Sequence, residues 1–82
     1  MSVINKKTEP IETRWKNLVI KNALKFGLYN LAEIARYLGY KERTFQAKIQ
    51  HFHFTGYEII EIISRLKFEE DEVGDFFLGV KK

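Results

Sequence analysis

Apolar residues recur at helical spacing in five runs of this chain, and each run is bracketed by start or stop signals. Ile11, Trp15, Leu18, Val19 and Phe26 trace one stripe from 11 to 26, with Leu24 beside it; Arg14, Lys16, Lys21 and Lys25 fall on the other faces. Thr8-Glu9-Pro10 opens this helix, because proline is tolerated in the first turn and acids suit the positive end of the dipole. Gly27 stops it, and Leu28 folds back behind the glycine. Asn30 is placed to cap a second, short helix. Glu33 completes a capping box, and Tyr29 and Ile34 stand where a hydrophobic staple closes. Ile34, Ala35 and Leu38 give that helix one apolar face, and Gly39 sits where it must end in a left-handed residue. After an inward Tyr40, Lys41-Glu42-Arg43-Thr44 opens a third helix that turns Phe45 and Ile49 to the core and leaves Glu42, Arg43, Gln46, Ala47 and Gln50 outside.

His51-Phe52-His53-Phe54 reads as a loop with Phe52 unusually exposed. Thr55 caps a fourth helix, with Glu58 closing the box and Phe54 and Ile59 placed for a staple. Ile59, Ile60, Ile62, Ile63 and Leu66 predict burial on more than one side, and Phe68 closes the helix. Val73, Phe76, Phe77 and Leu78 form a fifth short helix, weakened by Gly74 and ended by Gly79. The acids Glu69 to Glu72 offset its dipole, a simpler account of the cluster than metal binding or catalysis. The fold class is therefore all-α with five helices. The domain runs from 9 to 79, with a loose arm at 1–8 and a short tail at 80–82.

Composition narrows the function. Eighty-two residues, 45% hydrophobic and 15% aromatic, make one globular domain with a single small core. Without cysteine there is neither a disulfide frame nor a thiolate metal site, which fits a reducing cytoplasm. No apolar run approaches the roughly 18 residues of a membrane helix, so no membrane partner is expected. His51 and His53 lack a third ligand, and Thr44, Thr55 and Ser64 lack a neighbouring general base. Neither an enzyme, nor a small-molecule substrate, nor a metal or cofactor is expected. The net charge of +3 is unevenly spread. Residues 1–53 hold ten Lys/Arg against four Asp/Glu, a net of +6, and 54–82 hold four against seven, a net of −3. The basic half suits a polyanion partner.

The stretch Asn30 to Gln50 resembles the helix-turn-helix of the Cro and CI phage-repressor family, also called XRE, through Ile34, Ala35, Leu38, Gly39, Tyr40, Thr44 and Phe45. Phe54, Thr55, Glu58, Ile59, Leu66, Val73, Phe76 and Phe77 resemble the downstream helices, so the likeness covers most of residues 18–78. The chain departs from the pattern at Leu31, where a phosphate-touching polar residue is common, and at Lys41, where Ser or Thr usually caps. It departs again at Lys48-Ile49, with the last core residue one place late, and at Gln50-His51, which replaces Asn-Gly.

The resemblance implies a λ-repressor-like domain with the motif at about 30–50. It also implies a sequence-specific regulator of transcription that binds double-stranded DNA, of phage or prophage type, with helix 42–51 in the major groove. Arg43 and Gln46 would read base edges, with Ala47 on a thymine methyl and Glu42 and Gln50 beside them. Asn30, Lys41 and Lys48 would hold phosphates. Family members of this size bind as homodimers, in solution or only on DNA, and Phe76 and Phe77 are the expected contact. The alternative is a protein-binding module on the same fold, such as an antirepressor, an antitoxin or an inhibitor of a nucleic-acid enzyme. In that reading Phe52, Phe76 and Phe77 would form the apolar patch.

Overall fold

The computed structural model describes residues 10–78, and the side chains as far as Phe77. The expected arm, the Thr8-Glu9 helix start, the Gly79 stop and the tail with Val80 lie outside the described residues. Within them the chain forms five helices and no strand: α1 Ile11–Leu24, α2 Leu31–Leu38, α3 Glu42–His51, α4 Gly56–Arg65 and α5 Glu70–Leu78. None of the described helices is long and apolar enough to cross a membrane.

Trp15 is the hub of the core. It is fully buried, and Phe52, Phe54, Phe68 and Phe76 surround it with ring centroids 5.9, 6.1, 5.6 and 5.3 Å away. These phenylalanines come from the α3–α4 loop, the α4–α5 loop and α5, so a single side chain of α1 gathers the later half of the chain. Val19 and Ala23 continue the buried stripe, and α1 packs against α3 and α5. Ile34, Ala35, Phe45, Ile49, Ile59, Ile62 and Leu66 complete the core.

Several expectations are corrected by packing. α1 ends at Leu24, not Phe26, because its last turn tightens into i→i−3 bonds, with Phe26 N–H donating to Ala23 O at 2.9 Å and Gly27 N–H to Leu24 O at 3.0 Å. Gly27 is left-handed, at φ 75°, and Leu28 N–H then reaches Ala23 O. Ile11 and Leu24 are exposed rather than on the core stripe. Phe26 lies at the surface, stacked on Tyr37 at 5.6 Å. Asn22 takes a buried place instead, its Nδ2 donating to Leu18 O at 2.9 Å and to Glu72 Oε1 at 3.1 Å.

Phe52 was expected outside, yet it points inward. α3 runs to His51, as expected for helix 42–51, Phe52 itself takes the left-handed cap at φ 53°, and its ring lands against Trp15 and Phe76. α4 buries only one side: Ile59, Ile62 and Leu66 go in, while Ile60 and Tyr57 face out. At the end of that outer face Arg65 meets α2, its Nη1 donating to Tyr37 O at 3.2 Å.

Two acids fasten the later helices. Glu58 closes the predicted capping box of α4, with Glu58 N–H donating to Thr55 Oγ1 at 3.1 Å and Thr55 N–H to Glu58 Oε1 at 2.9 Å. Glu72 in the first turn of α5 accepts from Glu69 N–H at 3.0 Å, from Asn22 and from Lys21, and so ties α5 to α1. Burial alone would raise the Glu72 carboxyl. The Lys21, Glu69 and Asn22 donors outweigh it and hold the group below the usual carboxylate range, and the same pair raises Lys21.

Candidate nucleic-acid interface

The site begins with local chemistry. Asn30 caps α2 as expected, its Oδ1 accepting from Glu33 N–H at 2.9 Å. The return bond differs from a capping box: Glu33 Oε1 accepts from Tyr29 N–H at 2.7 Å, one residue before the cap. Tyr29 stays exposed, so the predicted staple with Ile34 does not form. α2 then buries Ile34 and Ala35 and ends at Gly39, which is left-handed at φ 88° and ψ 20°. Tyr40 N–H donates back to Ala35 O at 2.8 Å and closes the turn. A side chain at 39 would meet no neighbour, so the requirement for glycine there is one of backbone conformation alone.

Two residues beyond Tyr40, α3 starts without a side-chain cap, as Lys41 predicts. Phe45 and Ile49 anchor its inner face at full burial and α2 packs across it, with Ala35 buried between them. Glu42, Arg43, Thr44, Gln46, Ala47 and Gln50 are all exposed, so the structure puts the five expected base-reading residues on the outer surface of one helix. Gln46 Nε2 donates to Glu42 Oε2 at 3.3 Å, a one-turn pair that steadies both ends before any ligand arrives. Arg43 and Lys41 make no hydrogen bond or ion pair within the described residues. Their charges are available to an external acceptor.

Lys48 is placed differently from the expectation. It is half-buried, 3.4 Å from Glu58, donates to His53 O at 3.3 Å and lies over the Phe54 ring. A lysine already tied to a carboxylate, a carbonyl and a ring is a brace between α3 and α4, and its release to a phosphate would unmake those contacts. Asn30 and Lys41 remain exposed beside the turn.

The residue that sequence reasoning missed here is Glu58 in its second role. Beyond its cap, its Oε2 accepts from Tyr40 Oη at 2.9 Å, so one carboxylate joins the α2–α3 turn, α3 through Lys48, and α4. The Thr55 backbone bond, with help from Tyr40 and Lys48, lowers the Glu58 pKa against a smaller opposing effect of burial. Burial and then the Glu58 carboxylate push the Tyr40 phenol up. Tyr40 and Glu58 are separately visible in the sequence as an inward residue and a cap, but only the fold brings them together.

The expected dimer contacts divide. Phe76 is corrected: it is 3% exposed, packed on Trp15 under the Arg14 guanidinium, and is a core residue. Phe77 points out at 50% exposure, because neighbours on a helix point in different directions. No family model matches this sequence, and neither a curated protein nor a solved structure shows significant similarity to it.

Proposed function

We propose that this chain is a sequence-specific double-stranded DNA-binding regulator of transcription, of the phage or prophage type, and that α3 enters the major groove. The observation that carries the reading is the outer face of α3. Arg43, Gln46 and Gln50 stand exposed there, on a helix whose opposite side is pinned by Phe45 and Ile49 and backed by α2. Arginine and glutamine are the side chains that make paired hydrogen bonds to guanine and adenine edges, and the flanking Ala47 suits a thymine methyl. The unpaired Lys41 and the free amide of Asn30, whose oxygen is spent on its cap, serve phosphate contacts. Glu42 restrains Gln46 and accepts from cytosine. One helix reads only a few base pairs, so the regulator acts as a homodimer on a palindromic site.

The competing reading, a protein-binding module using Phe52, Phe76 and Phe77, loses most of its patch, since Phe52 and Phe76 are spent on Trp15. Selection of bound sites from random duplex DNA tests the proposal. A palindromic consensus whose affinity falls steeply with salt supports it. Recovery of unselected sequence, or retention that ignores salt, overturns it.

A further inference from the structure

α4 buries one apolar face and leaves two large apolar side chains, Tyr57 and Ile60, on the other. Ile59, Ile62 and Leu66 are buried, while Tyr57 is 80% and Ile60 66% exposed. Tyr57, Ile60, Glu61 and Ser64 stand at i, i+3, i+4 and i+7, a complete second stripe down the helix, and with Arg65 they line a shallow open groove. A single exposed isoleucine needs no explanation. An exposed tyrosine and isoleucine aligned on one stripe, with a small serine a turn further on, form a face that another helix fits.

The charges on this stripe say which helix. Glu61 and Arg65 lie one turn apart with side chains about half exposed, their Oε2 and Nε 3.5 Å from each other; Arg65 Nη1 also donates to Tyr37 O at 3.2 Å, which leaves the other N–H groups of its guanidinium for a partner carboxylate. A second copy of α4 laid antiparallel, with the two-fold axis level with residues 62–63, brings Arg65 of each copy to Glu61 of the other and seats Ile60 of each copy on Ser64 of the other. The face is neutral and self-complementary, as contact between two copies of a chain of net charge +3 requires. The surface around Phe77 is the contrast. α5 exposes Glu70, Asp71 and Asp75 and has no basic residue in its last turn, so a two-fold contact there sets acid against acid. We infer that the outer face of α4, through Tyr57, Ile60, Glu61, Ser64 and Arg65, is an isologous contact for a second copy of this chain, and that α4 rather than Phe77 carries the dimer.

The inference deepens the proposed function by supplying the dimer that function calls for. A ten-residue helix is about 15 Å long, so the contact is at the small end of specific interfaces and the free dimer is weak.

Sedimentation of the full chain without DNA tests it. The parent protein shows a concentration-dependent monomer–dimer equilibrium, and Ile60→Glu weakens association roughly 30-fold or more. Glu61→Arg and Arg65→Glu each remain monomeric. An equimolar mixture of those two associates, because every reversed charge then faces its opposite in the mixed dimer. Circular dichroism melts confirm that each variant is folded, and mixing rescues an interface but not a misfolded chain. A parent protein monomeric at millimolar concentration overturns the inference. So does a mixture no more associated than its parts, or a dimer that survives Ile60→Glu but not Phe77→Ser. With no DNA present, such failures leave the DNA-reading proposal standing, and a failed site selection leaves this interface standing.

Discussion

Removing the Glu58 carboxylate should disturb α4 and the base of the candidate interface together. Glu58→Ala deletes three kinds of contact: the return bond of the capping box to Thr55 N–H, the bond from Tyr40 Oη, and the pairing with Lys48. The cap contributes about 1 kcal/mol. A hydroxyl bond to a charged acceptor contributes about 1.5–3 kcal/mol in full burial, and about half of that where Tyr40 and Glu58 are only half-buried. The partly exposed Lys48 pair adds between about 0 and 1 kcal/mol. The expected loss is about 2–4 kcal/mol, a large part of the roughly 5–10 kcal/mol typical of a small domain.

The pH dependence carries a sign. The folded Glu58 pKa is lowered, so its stabilisation is fully present above the unfolded carboxylate value near about 4.3 and is lost as pH falls through the folded value. Urea titrations of parent and variant at pH 7 and at pH 3 are the assay, read as midpoint shifts at constant slope. The two curves should lie well apart at pH 7 and draw together in acid. A difference below about 0.5 kcal/mol at pH 7, or one that does not shrink in acid, would refute the claim that the ionised carboxylate joins the turn, α3 and α4.

Other substitutions probe separate parts of the fold and site. Gly39→Val should cost about 1–3 kcal/mol from backbone strain alone, since the space at 39 is open, and a thermal melt at the parent temperature would contradict the left-handed turn. Ala35→Leu should lose about 1–3 kcal/mol by overpacking between α2 and α3, read in the same melts. Arg43→Ala should lose about 1–3 kcal/mol on the selected duplex and relax one base position, while Lys41→Ala weakens all duplexes alike and lowers the salt slope by about one unit; equal loss on specific and scrambled DNA would remove Arg43 from the base readers. Lys67→Gly should stabilise by about 0.5–1 kcal/mol, because Lys67 holds φ 53° at the end of α4 where glycine is unstrained, and an unchanged or lowered midpoint would count against that strain.

What the sequence determined by itself is what depends on near neighbours in the chain. The five helices follow from apolar spacing. The Asn30 and Thr55 caps, the missing cap at Lys41 and the left-handed stops at Gly27 and Gly39 follow from side chains acting within a few residues. Trp15 as core anchor, and the outward Glu42, Arg43, Gln46, Ala47 and Gln50, follow from the same periodicity once Phe45 and Ile49 are taken as the inner face.

Only the tertiary structure decided what depends on which element covers which face. An amphipathic pattern ranks faces without saying that a neighbour exists, so Ile11, Ile60 and Tyr57 remain in solvent while polar Asn22 is covered by α5. Phe52 turned inward because a left-handed backbone at its own position re-aimed the ring at Trp15. Phe76 and Phe77 parted because adjacent side chains on a helix point in different directions, and the packing of α5 on α1 turned Phe76 toward Trp15. Lys48 became a brace because Glu58, ten residues away, arrives beneath it, and a pairing across that separation leaves no mark in local spacing.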